Sequence, residues 1–218
     1  MEFFKKINKI EKELAKLTTE EVNEQKIEDL KKLRVKEYIR ICKRAGGYSC
    51  RMGYDFKPYI PYSSFVNALI WAMEDAGMNP NPKKIGDHYF KHELLPGAKI
   101  AYSIAKDNQG MLNVFEKAVD TYELSLAQGM IYRFDDLQKT ERLTKSMLSL
   151  ADKLSYYVKM DIESNSTYYC PPDNEIFSKC FNARIIYEEY ASDKEKSEKI
   201  ANMDRARKRL EYQERIFK

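Results

Sequence analysis

The chain's only two histidines stand four residues apart, in Asp87-His88-Tyr89-Phe90-Lys91-His92-Glu93. On a helix this spacing puts both imidazoles on one face, one turn apart, where they can share a metal ion. A zincin-type hydrolytic site needs a glutamate directly after the first histidine, and the inverted motif needs one directly before the second. Tyr89 and Lys91 occupy those places, so the base that would activate water is missing. His88 and His92 are thus weak candidate metal ligands, with Asp87, Glu93, Cys42 and Cys50 as further donors. The expectation is surface or capping histidines with no resident metal and no cofactor.

Other catalytic signatures are missing from the sequence. It has no phosphate-binding glycine loop of either common kind and no G-x-S-x-G elbow. Adjacent carboxylates such as Asp135-Asp136 and Glu188-Glu189 diverge by about 100° on a helix, so they do not converge on one atom. The chain reads as a non-enzyme, and no small-molecule substrate is identified.

Charge beside aromatics is more informative. Residues 36–60 carry six cations against two carboxylates, while residues 194–218 carry nine against five. Residues 107–136 carry two cations against six carboxylates, so the net charge of +4 sums segregated patches. Arg40, Lys43 and Arg44 lie within about one turn, just before a loop bearing Tyr48, Tyr54, Phe56, Tyr59 and Tyr62. Cations for phosphates and rings for base stacking make Arg40, Lys43, Arg44, Tyr48, Arg51 and Tyr54 a candidate nucleic-acid or polyanion site. The same residues equally suit a loop whose tyrosines pack on the body beneath a solvated cationic rim. The C-terminal cations Arg205, Arg207, Lys208 and Arg209 are interspersed with acids, as on a salt-bridged helix face.

The elements that carry these groups all read as helices. With 8 Gly and 7 Pro in 218 residues, turn formers are too few for a β-sandwich. Phe3, Ile7, Ile10, Leu14 and Leu17 alternate at four and three residues, an apolar seam that needs a partner, either the body or another copy. Thr18 with Glu21 forms a capping box for a second helix, through Ile27, Leu30, Ile39 and Ile41, that stops at Gly46-Gly47. Ser63 or Ser64 caps an apolar helix, Phe65 to Ala76, ended by Gly77. Short helices follow over 87–95, stopped by Pro96-Gly97, and over 98–106.

Two long helices come next, with seams Leu112, Phe115, Val119, Tyr122, Leu126 and Leu143, Met147, Leu150, Leu154, Tyr157. They are expected to pair antiparallel about Asp135-Asp136. Residues 161–172 read as a loop. Asp173 caps a helix with Ile176, Phe177, Cys180, Phe181 and Ile185 inward. Ser192 with Glu195 opens a last helix, 193–217, with a thin stripe of Ile200, Met203, Leu210 and Phe217. The predicted fold class is all-α: an irregular bundle of about seven or eight helices. The expected organisation is an N-terminal helical hairpin or arm (1–47), an aromatic, basic loop (48–62) and a helical body (63–218).

No run approaches the ~20 apolar residues of a membrane span, and charge interrupts the N-terminal stretch where a signal peptide is apolar. The expected location is therefore cytoplasmic or otherwise intracellular, including within a virion, and not secreted. The four cysteines are expected to be free thiols. The stretch NEIFSKCFNARIIYEEYASDKEKSEKIANMDRARKRLEYQERIFK (174–218) is faintly similar to the paired terminal helices of small head–tail connector proteins of tailed phages. The likeness rests on helix, capped turn and helix with Ala, Tyr and Arg, and implies a connector or packaging component. The β elements of many such connectors have no counterpart here.

The expected function is a non-enzymatic helical protein that binds protein partners or itself, as part of a larger assembly, through amphipathic terminal helices. The alternative is a nucleic-acid-binding protein using residues 36–62.

Overall fold

The computed structural model describes residues 2–17, 24–48, 62–134, 139–168 and 174–217. Every regular element among them is helical. They fall into two units, Met1–Val114 and Phe115–Lys218, and the division lies inside one helix.

The first unit holds α1 (Glu2–Leu17), α2 (Glu24–Tyr48), α3 (Tyr62–Asp75), α4 (Pro82–Lys91), α5 (Leu95–Ala105) and the start of α6 (Asn108–Asp120). The α1 seam is used within the chain: Ile10 and Leu14 are buried with Leu30 of α2, and Leu17 and Ile27 flank them. The Thr18–Glu21 capping box lies outside the described residues. Contrary to the expected stop, α2 runs through Gly46-Gly47 to Tyr48. Glycine permits a left-handed turn but does not force one, and inside a helix it costs only about 1 kcal/mol each.

α3 begins at Tyr62, so Ser63 and Ser64 lie within its first turn instead of capping it. It ends as expected at Gly77, whose φ of +67° is open to glycine without penalty. The Gly77 and Met78 amides donate to the Glu74 and Met73 carbonyls, both at 2.9 Å.

The prolines act differently from expectation. Asn81 caps α4 by accepting from the Lys84 amide at 3.0 Å, and Pro82 opens the helix. Pro96 opens α5 in the same way and does not stop its predecessor. A first-turn residue has no intrahelical amide bond to lose, so proline is compatible there.

Tyr102 holds the short helices together. Its ring lies against Gly86 of α4 and Gly110 of α6, and its hydroxyl donates to Asp87 at 2.8 Å. Tyr89 lies against Gly97 of α5 in turn. Each ring takes the space that a side chain would fill.

The second unit holds the rest of α6, α7 (Leu124–Gln128), a single 3₁₀ turn at Ile131–Arg133, α8 (Glu141–Tyr168), α9 (Asn174–Tyr190) and α10 (Asp193–Phe217). The long helix expected along Leu112 to Leu126 is interrupted. Tyr122 turns left-handed (φ +61°), and its side chain is exposed, leaving Phe115 and Val119 to carry the buried seam. Phe115 packs on Phe134 with ring centroids 5.2 Å apart.

The main partner of α8 is α9, not the preceding helix. α8 also continues to Tyr168 through the expected loop, because Ile162 extends its buried face past Val158. Tyr157, read as part of the seam, is 41% exposed.

On α9 the core face is Ile176, Cys180, Ala183, Ile186, Tyr187 and Tyr190, whereas Phe181 is exposed. Asp173 lies outside the described residues. α10 starts where Ser192 and Glu195 predicted. Its Ser192 hydroxyl donates to the Glu195 carboxylate at 2.9 Å, and the Ser192 carbonyl accepts from the Lys196 amide.

A two-residue turn returns the chain from α9 into α10. Contacts of α10 with α8 advance together along both helices, from Lys199 with Asp152 to Met203 with Ser155 and Gln213 with Ile162. The three therefore run up, down and up. Tyr187 of α9 donates to Asp152 of α8 at 2.7 Å with its hydroxyl 3.0 Å from that of Ser155, and Lys199 of α10 lies 4.8 Å from its ring centroid. Burial and the adjacent carboxylate push the Tyr187 phenol above its usual range, so it stays a donor. Tyr187→Phe is expected to lower the stability of this unit by about 1 to 2 kcal/mol, read as a shifted urea midpoint at unchanged slope.

Candidate docking faces

The sequence-predicted sites divide by what surrounds them. Of the seam, Ile7, Ile10 and Leu14 are buried and Leu17 is partly buried, while the Phe3 side chain is outside the described residues. Of the basic and aromatic segment, Arg40 is exposed at 46% and pairs with Glu37 at 3.5 Å. Lys43, Arg44 and Tyr48 fall on the last turns of α2, with side chains outside the described residues, as are Arg51 and Tyr54 altogether. Glu37 also accepts from Lys6 of α1 at 2.7 Å. That hydrogen bond holds its carboxyl below the usual range.

His88 and His92 are both exposed, with ring centroids 4.6 Å apart. No cluster of three or more His, Cys, Asp or Glu side chains suited to a metal occurs among the described residues. Asp87, one proposed donor, accepts from Tyr102. Cys42 and Cys50 lie where no side chain is described. Cys180 is a buried free thiol whose pKa is raised by burial, and it donates to the Met203 carbonyl at 3.4 Å. A buried neutral thiol of this kind is an unreactive packing group.

Sequence reading missed Arg34. It is 2% exposed in its α2 position, and it pairs with Glu11 of α1 at 3.3 Å and with Asp75 of α3. Its guanidinium also lies 4.5 Å from the ring centroid of Trp71, the sole tryptophan. Partial burial alone would raise the Asp75 pKa, but hydrogen bonds from Lys31 and Arg34 outweigh it and leave the carboxyl below its usual value. This arrangement joins three helices and is structural. Its one signal in the sequence is a cation in register with the apolar face of α2, three residues after Lys31 and one before Val35.

The outer side of α10 was also underread. Met203 and Leu210 turn inward, whereas Tyr212 is 67% and Ile216 56% exposed, one turn apart. Arg205, Lys208 and Arg209 share that exposed side. Arg207 pairs with Glu211 at 2.9 Å, and Arg184 of α9 pairs with Asp204 at 3.0 Å. Among the described residues Lys208 and Arg209 have no carboxylate partner. An open groove beside them is lined by Ile162, Glu163, Lys208, Arg209, Tyr212 and Gln213. The Gln213 side-chain carbonyl, buried at the groove wall, has no hydrogen-bond partner among the described residues.

Helix periodicity makes the Tyr212–Ile216 pair legible, since 212 and 216 are four apart and out of phase with 203 and 210. A second exposed set, Tyr156, Tyr157 and Met160, lies on α8.

These elements define an all-α helical protein. Comparison with protein families, curated proteins and solved structures finds no match. No helix among the described residues is long and apolar enough to cross a membrane.

Proposed function

We propose that this chain is a non-enzymatic helical binding protein, one component of a larger assembly, and that α10 is its docking element. The observation that carries this reading is the exposed Tyr212–Ile216 pair beside Lys208 and Arg209. Two large apolar side chains held one turn apart on a helix, rimmed by cations that have no carboxylate partner among the described residues, suit helix-mediated docking. The other amphipathic terminal helix, α1, already covers its seam with α2. Self-association is the form of assembly that tests this most directly.

Sedimentation velocity over a range of concentrations is expected to show a reversible oligomer. The double substitution Tyr212→Ser, Ile216→Ser should weaken it by at least about tenfold, because burying each side chain contributes roughly 1.5 to 3 kcal/mol and 1.4 kcal/mol is a factor of ten. Apolar docking persists in high salt, whereas phosphate contacts are lost. A chain that stays monomeric and binds single-stranded oligonucleotide only at low salt, in a manner abolished by Arg40→Ala, Lys43→Ala and Arg44→Ala, would replace this reading with the nucleic-acid one.

A further inference from the structure

The structure assigns a second binding site, independent of α10: His88 and His92 form a two-imidazole chelate for a divalent d-block cation at the C-terminal end of α4. His92 is the C-cap residue of α4, and its amide donates to the His88 and Tyr89 carbonyls at 3.3 and 3.2 Å, which fixes the backbone of both histidines one turn apart. The helix beneath them is braced by the Tyr102 ring on Gly86 and the Tyr89 ring on Gly97. With the backbone fixed at both positions, only the two side chains remain to be ordered on binding.

Ring separation fits a shared ion. An imidazole nitrogen ligates at roughly 2.0 to 2.1 Å, which puts each ring centroid about 3.2 Å from the ion. Two such ligands at right angles place the centroids about 4.5 Å apart, and at the tetrahedral angle about 5.2 Å. The observed 4.6 Å is within a side-chain adjustment of either value. Copper(II) and nickel(II) stand at the high end of the affinity order of divalent first-row ions for nitrogen ligands. With no third protein donor gathered among the described residues, water fills the remaining positions.

The local field is mixed. The last turn of a helix carries a partial negative charge that favours a cation, and Asp87 and Glu93 add to it, while Lys84 and Lys91 oppose it.

The test uses the intact chain and nickel(II). Calorimetry is expected to give one ion per chain. His88→Asn and His92→Asn should each weaken binding by at least about tenfold, because each leaves a single ligand. Lys84→His added to His92→Asn places a new imidazole four residues before His88 and should restore most of the lost affinity. With just two histidines present, the proton spectrum offers a second readout: paramagnetic nickel should broaden both imidazole signals together. Affinity unchanged in the single variants, no rescue by Lys84→His, or broadening of one ring alone would overturn the assignment.

Discussion

Arg34→Ala is expected to destabilise the first unit by about 3 kcal/mol, because removing one member of a buried ion pair leaves its partners uncompensated and its packing empty. The value sits at the low end for such changes. Glu11 and Asp75 keep 39% and 30% of their exposure, and Asp75 retains Lys31 at 3.0 Å. Trp71, stacked on the guanidinium, should report this in urea unfolding as a lower midpoint and an altered native emission.

Arg34→Met separates the two causes. It restores most of the buried volume without the charge, so a loss near 1 kcal/mol would assign the effect to packing, whereas a loss equal to that of alanine would assign it to the ion pairs. The pairs also predict a pH dependence. Asp75 and Glu37 both titrate below their usual values, so their contribution is present above the ordinary carboxylate range and disappears as pH falls through the lowered folded values. Arg34→Ala should shrink the part of that acid sensitivity that arises at Asp75.

Gly110→Ala is the second large effect, at about 2 kcal/mol of destabilisation and with the sign opposite to helix propensity. In an ordinary helix interior the change stabilises by up to about 1 kcal/mol. Here a new Cβ would fall 2.5 Å from Tyr102 Cδ1 and 2.6 Å from its Cγ. The ring cannot retreat easily, since it is 2% exposed, is bonded to Asp87 and meets Gly86 on another side. Overpacking of this sort costs about 1 to 3 kcal/mol. Gly110→Ala combined with Tyr102→Leu should recover part of the loss by removing the clash, as measured by the thermal midpoint. An alanine variant more stable than the parent would show that the ring yields.

Much of the helical organisation was legible because helices declare themselves locally. The Ile7, Ile10, Leu14 spacing marked a buried seam, Gly77 marked an end, and Ser192 with Glu195 marked the start of α10. Proline was misread at 96 because it stops a helix from within but opens one at the first turn, and sequence alone does not say which turn a residue occupies. On α9 the expected inward residues Ile176 and Cys180 are buried, but Phe181 faces out and Tyr187 in, although both are plausible core residues. Only the positions of α8 and α10 decide that the phenylalanine faces out and the tyrosine in.

By itself, then, the sequence determined the helical class, a few helix ends such as those at Gly77 and Ser192, and the one-turn spacing of His88 with His92, all consequences of residue type acting over three or four positions. Tertiary structure alone decided that Arg34 is buried and bridges α1 and α3, that Tyr102 fits between two glycines, and that Tyr212 and Ile216 remain uncovered. Those outcomes depend on which residues distant in sequence come together, and burial is a property of such a meeting, not of any segment alone.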